Sequence, residues 1–285
     1  MKIYRNFDQE TLDREYRIRD SIPSDQFEAI LQRYADESKA ARESLACEID
    51  VSYGDSPDEI MDIFPAKGGA PLFVFIHGGY WHVLSHTESS FMAPNMVANG
   101  AAVATINYSL APAVSLDEIV RQCRAALGWL YRNAEKYGAD PDRIHIGGNS
   151  AGGHLVGMLL AGGWHDRFGV PDDVVKSACA LSGLYDLEPV RLSEPNEWMH
   201  LDELSAWRNS PIHNLPDRGC PLILSHGGNE TGEFKRQTEI YAAAWEARGF
   251  ECDHIDRDAF NHFDIPFDLN DPHGALARAV LALMD

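Results

Sequence analysis

The chain has 285 residues, of which 45% are hydrophobic, and a formal net charge of −20 at pH 7. This length and composition predict a globular protein with a sizeable core, in one large α/β domain or two small ones. The acidic balance argues against nucleic acid and anionic membrane surfaces as partners. The five cysteines form no CxxC pair, which argues against a disulfide framework or a zinc ribbon.

The N-terminal segment, residues 1–46, is polar and charged. It lacks the apolar stretch of a secretory signal, and no apolar run in the chain is long enough to span a bilayer. We therefore expect a cytoplasmic protein. Apolar residues at helical spacing predict one or two helices here, outside the main sheet. These residues are Phe27, Ile30, Leu31 and Tyr34.

Predicted strands and helices alternate from residue 48 onward. The strands span 48–53, 60–64, 71–76, 101–107, 142–146, 177–181, 221–225 and 250–255. The helices span 90–99, 115–137, 151–160, 233–248 and 273–284. Such alternation is typical of an α/β fold with a mostly parallel sheet and helices on both faces, here with the first two strands as an edge hairpin. Residues 186–215 break the alternation, and we interpret them as an insertion above the strand ends of a single domain, 1–285.

A serine lies between two glycines where a predicted strand gives way to a helix, in the stretch GNSAG, 148–152. G-x-S-x-G in this context is typical of a nucleophile elbow, whose glycines permit a strained turn that leaves the serine exposed at the sheet edge. The helix N-terminus behind it favours developing negative charge. The pattern predicts that Ser150 is a nucleophile. The alternative is a glycine-rich turn without one.

Two adjacent glycines end another predicted strand, in the stretch FVFIHGGYW, 73–81. A serine that attacks a carbonyl creates an oxyanion, which needs preorganised N–H donors. We expect one donor from Ala151 and others from Gly78 and Gly79, with the Tyr80 N–H as an alternative. The competing interpretation is a plain turn with its aromatic residues packed in the core. We expect His77 to brace the oxyanion loop.

A nucleophilic serine needs a base that is oriented by an acid, and on this fold the expected chain order is serine, acid, histidine. Glu230 follows a late predicted strand, and Glu233 and Asp186 compete with it for the role of acid. His262 lies before the last predicted helix and is the candidate base. His254 suits this role less well because it lies within a predicted strand.

Three further histidines carry weaker signals. His82 and His86 have the i, i+4 spacing of metal ligands, but no third ligand is evident, so we interpret them as surface-loop residues and expect no metal. His154 lies one turn after Ser150, and we expect it to pack or to form hydrogen bonds rather than act as a base.

With these motifs in order, the chain resembles the kynurenine formamidase branch of the α/β-hydrolase superfamily, near the hormone-sensitive-lipase-like esterases. The resemblance covers most of the chain. It rests on HGGYW (77–81), NYSLAP (107–112), GNSAGGHL (148–155), GGNETGEFKRQT (227–238) and NHFDI (261–265), with LDREYRIRDSIP (12–23) and YGDSPDEIMDIFP (53–65). Two positions depart from the family pattern: Glu230 replaces an aspartate, and Ser109 replaces an arginine.

The resemblance implies hydrolysis of an aryl formamide such as N-formyl-kynurenine, through Ser150, Glu230 and His262 and without a cofactor. A carboxylesterase for short acyl esters and a non-catalytic binding protein are the alternatives. The resemblance also implies a small-molecule substrate, and it suggests a homodimer, since related hydrolases often dimerise. Aromatic residues expected to line the pocket are Tyr80, Trp81, Tyr185, Trp198, Trp207 and Phe263. We expect residues 1–46 and 186–215 to form a lid.

Overall fold

Eight strands form one sheet in the computed structural model, which describes residues 1–285. They are β1 (Glu48–Ser52), β2 (Ile60–Phe64), β3 (Ala70–Ile76), β4 (Ala102–Ile106), β5 (Ala139–Asn149), β6 (Val175–Leu181), β7 (Leu222–Ser225) and β8 (Cys252–His254). Their order is β1-β2-β4-β3-β5-β6-β7-β8. Strands β3 to β8 are mutually parallel, whereas β2 is antiparallel to both β1 and β4. The α/β-hydrolase fold with its edge hairpin is thereby confirmed.

Eleven α-helices accompany the sheet. They are α1 (Gln9–Tyr16), α2 (Ser24–Ser44), α3 (Ala93–Ala98), α4 (Leu116–Asn133), α5 (Ala151–Leu160), α6 (His165–Phe168), α7 (Glu188–Arg191), α8 (Asn196–Met199), α9 (Glu203–Arg208), α10 (Gly232–Ala247) and α11 (Ala275–Met284). None of them is both long and apolar enough to cross a membrane.

The two faces of the sheet are buried under different helices. Because successive side chains of a strand point to opposite faces, Leu72 and Val74 of β3 join one apolar cluster and Phe73 joins the other. The first cluster includes buried residues of α4, α5 and α10, and the second those of α2, α3 and α11. Both faces are therefore covered, as a parallel sheet requires.

Several predicted boundaries are wrong in detail. Strand β5 is longer than the predicted 142–146, and β8 is shorter than the predicted 250–255. Residues 186–215 contain three one- or two-turn helices, α7 to α9, and a 3₁₀ turn at Pro211–His213. Prolines lie at the start of α7, of α8 and of the 3₁₀ turn, where the N–H that proline lacks would have no partner within the helix. Each of these helices is therefore short and begins anew, so the segment shows no continuous helical periodicity in its sequence.

The N-terminal segment is tied to the body of the domain by buried polar contacts. The hydroxyl of Tyr16 donates to Glu233 Oε2 at 3.0 Å and accepts from the amide of Gln237 at 3.0 Å. Both partners lie on α10, and Tyr16 itself is fully buried. Helix α2 lies on the opposite face of the sheet, where the Tyr34 hydroxyl donates to the carbonyl of Phe263 at 2.7 Å.

Candidate active site

Ser150 occupies a strained turn between β5 and α5. Its backbone has φ 57° and ψ −118°, a left-handed value that non-glycine residues rarely adopt. The flanking glycines are required by contact: a Cβ on Gly152 would lie 2.0 Å from the carbonyl oxygen of Ile76, and one on Gly148 would lie 2.5 Å from that of Gly152. The turn therefore has the geometry of a nucleophile elbow. Ser150 is only 4% exposed, because the residues above it cover the strand ends.

The glycine turn after β3 lies directly against the elbow. A Cβ on Gly78 would lie 3.2 Å from the Cβ of Ser150. Gly79, Tyr80 and Trp81 all have positive φ, and a Cβ on Gly79 would meet the carbonyl oxygen of Val83 at 2.1 Å. The N–H groups of Gly78 and Gly79 donate to no group of the protein. That of Ala151 is likewise an unpaired first-turn donor of α5.

Aromatic side chains hold this turn in place from three sides. The hydroxyl of Tyr80 donates to the carbonyl of Tyr16 at 2.6 Å, and the indole of Trp198 donates to the carbonyl of Tyr80 at 3.2 Å. The indole of Trp81 donates to His154 Nδ1 at 3.2 Å, while His154 Nε2 donates to the carbonyl of Asn209 at 2.7 Å. Burial lowers the pKa of His154 to about 4, so it is neutral at pH 7 and serves as a bracing residue.

His77 lies behind the same turn. Its Nδ1 is 2.8 Å from the carbonyl oxygen of Gly78, and its ring stacks on Tyr108 at 4.1 Å between centroids. The Tyr108 hydroxyl donates to the carbonyl of His77 at 2.9 Å. Burial lowers the pKa of His77 to about 4. A neutral, stacked imidazole stiffens the backbone that carries the Gly78 N–H.

Glu230 and His262 are brought together by the loops after β7 and β8. The Glu230 Oε2 lies 3.2 Å from His262 Nδ1, at the distance of an ion pair but without the alignment of a good hydrogen bond. Its Oε1 accepts hydrogen bonds from the Ser182 hydroxyl and, at 2.7 Å, from the Gly227 N–H. Both side chains are almost completely buried.

The charge state of Glu230 follows from these contacts. Burial alone would raise its pKa, but the adjacent His262 and the hydrogen bonds from Ser182 and Gly227 outweigh that effect, and the net pKa is lowered. Glu230 is therefore ionised at neutral pH. An ionised carboxylate beside Nδ1 keeps a proton on that nitrogen and leaves Nε2 free to accept one.

The competing acids have other partners. Glu233 is held by Arg236 at 2.7 Å and by Tyr16, and Asp186 accepts from the hydroxyl of Tyr4 at 3.2 Å. Ser109, the other departure from the family pattern, is buried and donates to Asp58 at 2.8 Å. His254 ends β8 and is exposed.

Ser150 and His262 line one cavity of about 560 Å³. Of the six aromatic residues predicted for the pocket, Tyr80, Trp198 and Phe263 line it. Three predictions are wrong. Trp81 and Tyr185 are fully buried in the core, Tyr185 stacked on Tyr241, and Trp207 is 57% exposed to solvent, stacked on His213.

The two segments expected to form a lid supply much of the cavity wall, but of the wall residues that they supply only Trp198 was assigned to the pocket from the sequence. Residues 16–34 supply Tyr16, Arg17, Ile18, Arg19, Phe27, Leu31 and Tyr34, and the 186–215 segment supplies Glu194, Pro195 and Trp198. The available signal was the resemblance of residues 12–23 to a family segment, which pointed to this part of the chain but not to the side chains that line the cavity.

His82 and His86 are separated by the fold. His82 is exposed, lines the cavity and stacks on Trp198. His86 is buried, so its assignment to a surface loop is wrong; its Nε2 lies 3.0 Å from Asp50 and 3.6 Å from Asp62. Arg42 lies 3.3 Å from Asp62 and already supplies positive charge to this cluster, which therefore gives no argument for a metal.

Known proteins resemble the chain along most of its length. Kynurenine formamidases of Danio rerio and Salmo salar are each 31% identical to it, over 87% and 83% of this chain and 85% and 81% of theirs. A family model described as BD-FAE matches residues 61–181. A solved structure from Silicibacter sp. TM1040, described as a candidate thioesterase, is 29% identical, with a TM-score of 0.82, and covers 95% of this chain and 98% of its own. The chain is a hydrolase of the α/β-hydrolase superfamily and belongs to the kynurenine formamidase family.

Proposed function

We propose that the protein hydrolyses aryl formamides, with N-formyl-kynurenine as the named candidate, through Ser150, His262 and Glu230. The observation that carries this proposal is that Ser150 and His262 line one aromatic cavity, with unpaired backbone N–H groups beside the serine and an ionised acid beside the histidine. Membership of the family supplies the formamide, because the site chemistry by itself requires only a carbonyl and a leaving group.

Acylation starts when the Ser150 hydroxyl attacks the formyl carbon and His262 Nε2 takes its proton. The carbonyl oxygen becomes an oxyanion, which the N–H groups of Gly78, Gly79 and Ala151 stabilise. Collapse of this intermediate breaks the C–N bond. The imidazolium then returns its proton to the departing arylamine, and Glu230 stabilises the positive charge of His262 while it exists.

Deacylation repeats these steps with water. His262 removes a proton from a water molecule that attacks the formyl ester of Ser150, the same N–H groups bind the second oxyanion, and formate leaves as the serine is reprotonated. His262 performs every proton transfer in this scheme, and the backbone N–H groups only stabilise the oxyanion by hydrogen bonds.

The walls of the cavity belong to the same proposal. Residues 16–34 and 194–198 cover Ser150 and contribute half of the aromatic side chains around it: Tyr16, Phe27, Tyr34 and Trp198. We assign to these segments the role of a lid that selects the leaving group. The formyl group is small, so discrimination falls on the aromatic amine that the walls contact.

The test is steady-state hydrolysis of N-formyl-kynurenine and p-nitrophenyl acetate by one purified preparation, with Ser150→Ala as control. We expect kcat/KM above about 10⁴ M⁻¹s⁻¹ for the formamide, in the usual range of enzymes, and a lower value for the ester. The alanine variant should lose about 10⁴-fold or more in kcat on both substrates. Activity that survives in Ser150→Ala would overturn the assignment of the nucleophile.

A carboxylesterase is the second candidate. It is favoured by the description of the 29% identical solved protein as a candidate thioesterase, since thioesters and esters share the acyl-enzyme route. If only the ester is turned over, and its turnover depends on Ser150, the protein is an esterase on the same site and the formamide proposal fails.

A further inference from the structure

Two arginines and two glutamates are among the residues that line the cavity: Arg17, Arg19, Glu88 and Glu194. Three of them are paired within the protein. Arg17 forms an ion pair with Glu194, and the carboxylate of Glu88 accepts hydrogen bonds within its own 85–88 turn. Arg19 has no carboxylate partner, and the one hydrogen bond of its side chain goes to the carbonyl of Ile22 at 3.3 Å.

Arg19 is held on the aromatic wall that leads to the proposed base. Its guanidinium lies 4.1 Å from the centroid of the Phe27 ring, a cation–π distance. Phe27 in turn packs edge-on against Phe263 at 4.9 Å between centroids, and Phe263 directly follows His262 and packs against its ring. A guanidinium has five N–H donors, and the protein accepts only one bond from this one.

The unpaired positive charge of Arg19 is opposite in sign to the net charge of the protein. The net charge of −20 disfavours a substrate carboxylate in the cleft unless a local positive group offsets it. Arginine binds carboxylates through two parallel N–H bonds and stacks on aromatic rings at the same time. Arg19 is half-buried, partly desolvated by Phe27, and so suited to a ligand rather than to bulk water.

We propose that Arg19 is a specificity-determining residue that binds a carboxylate on the leaving-group side of the substrate. The inference rests on the proposed function and narrows its substrate class: the formyl group has no room for a charge, so the carboxylate must belong to the aromatic amine. The preferred substrates are aryl formamides or aryl esters whose leaving group bears a carboxylate.

The direct test compares N-formyl-kynurenine with N-formyl-kynuramine, which differ only by that carboxylate. In the native protein kcat/KM should favour the carboxylate-bearing substrate. Arg19→Gln should reduce the ratio of the two kcat/KM values 10- to 100-fold, as expected for loss of a charge-assisted bond, mainly through KM. Arg19→Lys keeps the charge without the fork and should give an intermediate ratio.

Arg14→Gln is the matched control. Arg14 is exposed on α1, five residues away in the same N-terminal segment, and does not line the cavity. Arg14→Gln removes the same unit of charge as Arg19→Gln but leaves the cavity unchanged, so the ratio of the two kcat/KM values should stay at its native value. An equal loss in Arg14→Gln and Arg19→Gln would show a general effect of net charge and overturn the carboxylate site.

A second substrate pair separates this inference from the formamide proposal. Phenyl acetate and 3- or 4-acetoxybenzoate use the same serine chemistry but contain no formamide. If formamides are not hydrolysed and the acetoxybenzoate preference still depends on Arg19, the formamidase proposal fails and the carboxylate site stands. If Arg19→Gln and Arg19→Lys leave both ratios unchanged, the carboxylate site is wrong whatever the formamide result.

Discussion

The floor and the wall of the cavity are built on different principles. The floor consists of the Gly78–Tyr80 turn, Ser150 and His262, with Glu230 buried beside His262, and all of them follow the carboxyl ends of parallel strands. The wall consists of residues 16–34 and 194–198, which belong to separate segments outside the sheet. The floor is fixed by backbone in close contact with backbone, whereas the wall is fixed by side chains packed on one another.

This difference predicts how each part responds to substitution. In the floor, a carbon atom added to Gly152 or Gly79 would lie about 2 Å from a carbonyl oxygen, so few changes are compatible with its shape. In the wall, the contacts are between aromatic side chains, edge-on at 4.9–6.0 Å between ring centroids, so a substitution there removes a side-chain contact without forcing the backbone to move. We therefore expect floor variants to affect turnover of every substrate and wall variants to change preference among substrates.

The largest effect is expected from Glu230→Gln. The amide has nearly the same shape but no charge, so it neither holds the proton on Nδ1 nor stabilises the imidazolium of His262. We expect kcat to fall about 10³- to 10⁴-fold on formamide and ester alike, the scale seen when the acid of a serine triad is made neutral. Steady-state kinetics on both substrates measures this loss.

Asp186→Asn is the matched control, because it makes the same chemical change at a competing acid. Asp186 is bound to Tyr4 and not to His262, so its variant should stay within a few-fold of the native kcat. If Asp186→Asn lost as much kcat as Glu230→Gln, the assignment of Glu230 as the acid of the triad would be wrong.

The residues of the floor were accessible from the sequence because each is tied to a local rule. A serine between glycines at a strand end, a glycine pair at another strand end, and an acid and a histidine after later strands need only chain order to be placed. Their meeting point is fixed by the parallel sheet, whose carboxyl ends share one edge.

The wall was not accessible in this way. Trp207 and Trp198 lie nine residues apart in the same irregular segment, yet one faces solvent and the other the cavity. Whether such a side chain faces solvent or the cavity depends on where α8 and α9 pack against the rest of the protein, and no periodicity in the sequence predicts that position. Arg19 and Phe27 were not assigned to the pocket for the same reason: residues 1–46 were expected to form a lid, but helical spacing does not tell which of their side chains face the cavity.

The next largest effect is expected from Gly79→Ala. Gly79 has φ +98°, and its added Cβ would meet the Val83 carbonyl oxygen at 2.1 Å, so the turn must move. Displacing one N–H donor of the proposed oxyanion hole should lower kcat about 10²-fold on all substrates, with KM less affected. Kinetics and a thermal melt of the same preparation check the prediction.

Gly163→Ala separates backbone strain from displacement of the turn. Gly163 also has positive φ, +80°, but its Cβ would meet nothing within 4 Å. It should cost about 1 kcal/mol of stability or slightly more and leave kcat unchanged. If Gly79→Ala lowers only the melting temperature and keeps native kcat, its N–H is not part of the oxyanion hole.

A smaller effect is expected from Ser182→Ala, and it should depend on pH. The Ser182 hydroxyl donates to Glu230 and helps to lower its pKa. Removing a donor to the charged form raises that pKa, so a larger fraction of Glu230 is protonated and neutral at pH 5 than in the native protein. We expect kcat to fall about tenfold at pH 5, and less at pH 8 where the carboxylate remains ionised in both proteins.

The control for this pH profile is Ser177→Ala. Ser177 lies on β6 and, like Ser182, is buried, but its hydroxyl pairs with His145 at 2.7 Å and does not contact Glu230. Its kcat should keep the native dependence on pH. Parallel profiles for Ser182→Ala and the native protein would mean that the hydroxyl does not influence the ionisation of Glu230.

The smallest effect, and the one that tests the wall, is expected from Phe27→Leu. The change keeps an apolar side chain but removes the ring that contacts Phe263 and supports the cavity surface. Loss of one aromatic contact of about 0.5–1.5 kcal/mol should raise KM for phenyl acetate roughly 2- to 10-fold and leave KM for butyl acetate nearly unchanged. Phe168→Leu, at a half-buried ring packed on Trp164 outside the cavity, is the matched control and should change neither. If Phe27→Leu instead lowers kcat equally on both acetates, the ring acts through His262, and the separation of floor from wall does not hold on this side of the cavity.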